Sequence, residues 1–202
     1  MLRYLGTGLR QFGLYPIAPH PRLNWEFFAV VKGRCAPINA GDKPSRLVER
    51  TLWVSPPHSQ HSWAGDGART AQVTVFHFGS VPIALERIAR ERGRLAVPLT
   101  GPECQRLVDL ARQVRADFRE PNELSQLVYQ GLLIELALLV LRKLPYGLQL
   151  QCRLGHQPHP VFNLDASEHP HRALSHRPLK ISAQGAGRNM HLARDFVDRG
   201  VG

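Results

Sequence analysis

Positions 55–63 read Ser-Pro-Pro-His-Ser-Gln-His-Ser-Trp, which puts two imidazoles, three hydroxyls and an indole within nine residues, directly after the apolar run TLWV. A histidine just beyond a strand can move a proton, hydrogen-bond a polar ligand or bind a metal. Metal binding asks for more, because one histidine does not hold a divalent ion. Cys152-x-x-x-His156-x-x-His159 offers three further donors, but it has no paired second half and stands in a proline-rich stretch. Gly185-Ala-Gly187 is followed by no Lys-Ser/Thr pair and preceded by no strand, so it is not a phosphate loop. No serine stands in the strand-turn-helix setting of an activated nucleophile. The sequence names no catalytic residue, no metal-ligand set and no cofactor.

The chain that must position this turn has 202 residues, 43% of them apolar, and a mean hydropathy of −0.23. That is room for one well-buried domain plus an extension. The longest unbroken apolar stretch near position 135 covers only 136–141, well under the roughly 18 residues of a membrane span. MLRYLGTGLRQFGLYP at the N-terminus has no continuous apolar region and no small-residue cleavage site, so a cytoplasmic protein with no membrane partner is expected. Cys35, Cys104 and Cys152 are odd in number and far apart, as reduced thiols are. Lys and Arg number 26 against 16 Asp and Glu, and positions 1–100 hold 13 of the basic and 6 of the acidic side chains. A basic surface favours polyanions, nucleic acid first, without conferring sequence recognition.

From Asn24 to Gly79, short apolar runs alternate with Gly, Pro, Asn, Asp and Ser, the pattern of antiparallel β structure. Strands are predicted near 25–31, 47–54 and 71–78, with GRCAPINAGDKP a partly strand-forming connection. Strands this short and this closely spaced suit a small barrel or jelly roll. After Pro82 the period changes. Thr100-Gly-Pro-Glu103 is a capping box, and Cys104, Leu107, Val108, Ala111, Val114 and Phe118 follow at steps of three and four, predicting a helix to about Glu120. A second helix is predicted over about 122–144, closed by Pro145 and Gly147. Its GLLIELALLVLRKL half is apolar nearly all round, more than one domain needs, so Leu132, Leu136, Leu138 and Leu139 are expected at a homodimer face.

Six of the ten histidines lie in the last 56 residues, which show no sustained apolar period before 190–197. Positions 148–187 are expected to be an irregular or disordered linker. The predicted organisation is a barrel over 1–98, a helical dimerisation segment over 99–145 and a poorly ordered tail over 146–202: mainly β with C-terminal α.

Pro56-x-His58-x-x-His61 resembles the second cupin motif, P-x-G-x-x-H, with His58 at the glycine position. Taken with WEFFAVVKGRC, LWVSPPHSQHSW and QVTVFHFGSVP in this order and two helices after them, positions 15–145 resemble the N-terminal sensing domain of AraC-family transcription regulators. The resemblance implies a cupin-like barrel that holds a small effector, such as a sugar or organic acid, and a helical pair that dimerises. Its pocket would be lined from Lys32, before the turn glycine Gly33, and from Trp63. Strand parity adds His61 beside Trp63, Val73, Val75 and His77 on the third strand, and Glu26, Phe28 and Val30 on the face of Lys32. The alternative is a small metal-dependent cupin enzyme, a sugar-phosphate isomerase or dioxygenase; it needs a first motif H-x-H followed by Glu, and in His20-Pro-Arg-Leu-Asn-Trp-Glu26 the ligand positions hold Pro21 and Arg22. Positions 191–199 resemble the first helix of the family's DNA-binding module, and no recognition helix follows it. DNA is therefore expected to be bound only weakly, or through a full-length relative.

Overall fold

Eight strands and four helices form within residues 1–17, 19–39 and 46–145, the residues that the computed structural model describes. The strands are β1 (Leu2–Arg10), β2 (His20–Pro21), β3 (Trp25–Lys32), β4 (Cys35–Asn39), β5 (Thr51–Ser55), β6 (Gln60–Gly65), β7 (Ala71–Phe78) and β8 (Leu95–Pro98). The helices are α1 (Ile83–Arg92), α2 (Gly101–Gln113), α3 (Arg115–Arg119) and α4 (Ser125–Lys143). All strand pairs are antiparallel, and they make a five-stranded sheet, β1-β7-β3-β5-β8, and a three-stranded sheet, β2-β6-β4. The fold is mainly β, barrel-like and followed by helices.

Burial on β3 explains the layering. Every residue from Trp25 to Val30 is buried, so the strand has a core on each face. Trp25, Phe27 and Ala29 join Leu52, Val54, Phe76 and Phe78 in one cluster with the inner sides of α1, α2 and α4. Phe28 and Val30, on the other parity, join Phe12, Cys35, Trp53, Trp63, Ala71 and Val73 between the two sheets. Period-2 alternation thus sorts one strand's side chains into a helix-facing core and a barrel interior.

The helices depart from the sequence expectation in number. Four form where two were expected. In α1 the spacing of Leu85, Ile88 and Ala89 buries one side, Pro82 opens the helix and Gly93 closes it at φ +76°. The helix begun at Thr100 is capped as expected: Glu103 N–H donates to Thr100 Oγ1, and Glu103 Oε2 accepts from the Thr100 N–H at 2.7 Å. It stops at Gln113, because Val114 turns into the core with ψ at −5°, and the chain resumes as α3. β1, β2, β6 and β8 were not expected as strands; Gly6 and Gly8 interrupt the alternation of β1, β2 is only two residues long, and β6 carries the Gln-His-Ser composition of a turn. The linker at 148–187, the helical spacing at 190–197 and the rest of 146–202, Cys152, His156 and His159 included, lie outside the described residues.

Candidate functional site

At the Glu26 end of the barrel interior β3, β6 and β7 bring one carboxylate against two imidazoles. Glu26 Oε1 accepts from His61 Nε2 at 3.1 Å, and Oε2 faces His77 Nε2 at 3.1 Å. Arg22, just before β3, closes the ring with Nε 2.9 Å from Oε2. Register explains the convergence: Glu26 pairs with His77 across β3 and β7, and with Ser55 across β3 and β5, while β6 presents His61 from the facing sheet. Glu26 is 2% exposed and His61 0%. Burial works to raise the Glu26 carboxyl, but the hydrogen bonds and charge of His61 and His77 outweigh it and hold it well below the usual carboxylate range. An ionised carboxylate only accepts, so the His61 hydrogen facing it is assigned to Nε2.

More groups face this cluster. Arg94, between α1 and β8, donates from Nε to Ser55 Oγ at 3.1 Å; burial lowers its pKa and the Glu26 charge works the other way. The Tyr4 ring lies 4.8 Å from the His77 ring, its hydroxyl pushed up by burial. Ser59 Oγ approaches His61 Nδ1 at 3.3 Å and donates to the Pro56 carbonyl at 2.8 Å, fixing the turn that delivers the histidine. His58, at the glycine position of that turn, takes the left-handed backbone a glycine favours, φ +65°, and its N–H donates to the Arg22 carbonyl at 2.6 Å.

Beside the polar cluster lies an aromatic box. Phe28 and Trp63 stack at 3.6 Å between ring centroids, with Trp53 at 5.1 Å from Trp63 and Phe12 at 6.0 Å from Phe28. Trp63 is 1% exposed, and its Nε1 is buried with no hydrogen-bond partner among the described residues. A buried indole N–H normally finds an acceptor, and this one meets none among them.

The expected pocket residues divide accordingly. Glu26, Phe28, His61, Trp63, Val73, Val75 and His77 come together in or beside the barrel interior, although as a packed interior and not as the walls of an open pocket. Lys32 does not join them. The pairing of β3 with β7 shifts between Val30 and Lys32, which breaks the parity, and the ammonium is exposed. The sequence reading missed Tyr4, Phe12, Arg22, Trp53 and Arg94. Trp53 shares the parity of Ser55 and was legible; Phe12 and Arg94 lie in loops, where periodicity carries no signal.

Arg22 also bears on metal chemistry. Where the enzyme reading needs a ligand, a guanidinium stands against the only carboxylate of the cluster and opposes a divalent cation. Among the described residues no group of three or more His, Cys, Asp or Glu is arranged to hold a metal ion.

The helices carry a second feature. Leu132 and Leu136, expected at a dimer face, are buried in the chain's own core, while Leu139 is half-buried and Leu138 is 41% exposed. Exposed apolar residues on α4 and at its start are Leu124, Leu127, Ile134 and Leu138. Their spacing, with exposed Gly131 among them, makes one stripe along the helix. By length and composition alone α4 is apolar enough to cross a membrane, yet Tyr129, Leu132, Leu136, Ala137 and Val140 are buried within this chain, as in a core helix. A cavity of about 300 Å³ lies between α2 and α4, floored by Leu107, Leu110, Leu136 and Leu139 and flanked by the ion pairs Arg106–Glu135 and Lys143–Glu103.

Comparison with protein-family models gives no match, and comparison with curated proteins gives none. Among solved structures, an apo variant of ToxT from Vibrio cholerae strain SCE256 matches with a TM-score of 0.45 and 9% identity over 63% of this chain and 52% of that one. A second structure of ToxT from Vibrio cholerae matches with a TM-score of 0.37 and 10% identity over 68% of this chain and 58% of that one. ToxT is a regulator of the AraC family. The chain thus spans between half and three-fifths of the length of these two structures.

Proposed function

We infer that the described residues are the effector-sensing and dimerising part of a cytoplasmic transcription regulator of the AraC type, a ligand-binding module and not an enzyme. The motifs at 25–35, 52–63 and 72–82 support this reading, and the buried cluster of Glu26, His61, His77 and Arg22 carries it. A buried ionic network adds little stability over an apolar core of the same volume, so its retention points to a task. One carboxylate faced by two guanidinium groups and two imidazoles leaves that end of the barrel short of negative charge, which suits a small organic acid or a polyhydroxylated sugar. Occupancy would bias the pose of α4 and of the N-terminal strands, and so the presentation of the DNA-binding units of a dimer.

The test is a thermal-shift screen of monosaccharides and small organic acids on the full chain. One class should raise the melting temperature saturably, and His61→Ala should abolish the rise. No shift from any compound, or a shift indifferent to His61, overturns the effector reading. Dimerisation has its own test: Leu138→Glu puts a charge in the exposed stripe of α4 and should yield monomer in sedimentation, whereas an unchanged mass removes α4 from the interface.

A further inference from the structure

The turn after β1 is seated on the barrel by one buried ring and a close backbone contact, and Ile17 just beyond it packs half-buried on the same cluster. Gln11 O accepts from Leu14 N at 3.1 Å and from Tyr15 N at 2.8 Å, closing the turn on itself. Only Phe12 is sunk into the protein, at 3% exposure, while Leu14 and Tyr15 stand 52% and 74% exposed. The backbone beside Phe12 is pressed against the β6–β7 connection: a Cβ on Gly13 would lie 2.1 Å from Gly67 O, and one on Gly65 would lie 2.7 Å from Gly13 N. One side-chain hydrogen bond, Gln11 Nε2 to Ala68 O at 3.2 Å, adds to this seat. The Phe12 ring reaches the box of Phe28, Trp53 and Trp63, in which the Trp63 N–H has no acceptor among the described residues.

We propose that Phe12 is a resident stand-in for the ring of the effector: the barrel's ligand is a small molecule with a flat apolar ring and an acceptor oxygen, an aromatic carboxylate in chemical class, and its ring takes the place of Phe12 while its oxygen accepts from Trp63 Nε1. This rests on the effector reading and narrows it. The space that Phe12 fills is bounded by aromatic rings, Phe28 in tilted contact with it and stacked in turn on Trp63, and such walls suit a flat apolar ring and give a hydroxyl-covered sugar ring little to pair with. A phenyl group already fills it, so a phenyl-sized ligand needs no remodelling of β3, β5 or β6. Expelling Phe12 gives up its ring packing, the Gln11–Ala68 hydrogen bond and the close backbone approach to Gly67, but no other buried side chain of the turn, since Gly13, Leu14 and Tyr15 are already in solvent.

Benzoate is the probe, titrated calorimetrically into the full chain. Phe12→Ala, which leaves the box open, should bind benzoate at least tenfold more tightly than the unaltered protein. Gly13→Ala, which forbids the seat against Gly67 but keeps every aromatic residue, should do the same. Trp63→Phe keeps a ring and removes the donor, and should weaken binding about tenfold. In the unaltered protein, benzoate should speed amide exchange at residues 11–15. Equal affinity in all four proteins, or slower exchange at 11–15 on binding, overturns the proposal. So does absence of benzoate binding by a Phe12→Ala or Gly13→Ala protein with native near-ultraviolet dichroism. These outcomes leave the effector reading intact wherever another compound gives a His61-dependent shift, so the two failures are told apart.

Discussion

At His58 a histidine sits where φ is +65°, and its side chain is exposed. The left-handed backbone costs an L-residue about 1–2 kcal/mol, and glycine gives back part of that gain through its freer unfolded chain. His58→Gly should therefore raise stability by roughly 0.5–1 kcal/mol, a few degrees in thermal melting; a lower melting temperature would mean that the imidazole has a partner in function. Glu26 is the opposite case, a charge whose removal strands others. Glu26→Gln leaves the Arg22 guanidinium without its counter-charge and should cost about 3–5 kcal/mol at neutral pH. The sign of its pH dependence follows from the depressed carboxyl. The stabilisation is fully present above the unfolded value near 4.5 and is lost as pH falls toward the folded one, since the unfolded chain takes up the proton first. Urea titrations from pH 7 to 3 should show a fall in stability below about pH 5 in the unaltered protein, with the Glu26 share of that slope absent in Glu26→Gln.

Among the elements, α4 shows a surplus that its own domain does not use. Gly131 stands exposed in mid-helix with open space where a Cβ would be, and glycine there costs about 1 kcal/mol relative to alanine. If another backbone crosses at this point in a dimer, Gly131→Ala should stabilise the isolated chain and loosen self-association, which sedimentation equilibrium reads directly; tighter association would place the crossing elsewhere. Element by element, the sequence was legible where one physical rule dominated. An apolar run marked β3, a β-rich stretch marked β7, and the capping box of Thr100 and Glu103 marked the start of α2 to the residue. Legibility failed where rules compete. Gly6 and Gly8 erase the alternation of β1, and Leu132 and Leu136 share an apolar helix with Leu138, so composition alone did not separate the inward face from the outward one. The site followed the same division: the resemblance offered Trp63 and Lys32, strand parity added Glu26, Phe28, His61 and His77, and the bulge before Lys32 broke the shared face there. Arg22 and Arg94 reach the cluster from connections, where only tertiary structure places them.

Across the molecule, among the described residues both hydrophobic clusters draw their members from positions 2–144. A chain ending after Pro145 should keep cooperative unfolding and His61-dependent effector binding; a broad or absent transition would mean that later residues complete the core. That piece holds 19 basic and 12 acidic side chains. It should bind duplex DNA only through phosphates, weakly, alike on all sequences and less with rising salt. A defined consensus recovered from random duplexes would overturn this.

The two-sided burial of β3 reaches back to a time before the fold exists. In the unfolded chain Trp-Glu-Phe-Phe-Ala-Val-Val is a run of strong β-formers without proline or glycine, the kind of segment that seeds intermolecular sheets. Its one charge is Glu26. The carboxylate that the finished protein seals behind two histidines and an arginine would then act on the nascent chain as a gatekeeper, together with Lys32 at the end of β3, against pairing of β3 with its own copies. Glu26→Gln should aggregate on dilution from denaturant at concentrations where the unaltered chain refolds, and Lys at the same position, which restores a charge but not the cluster, should stay soluble while failing to fold.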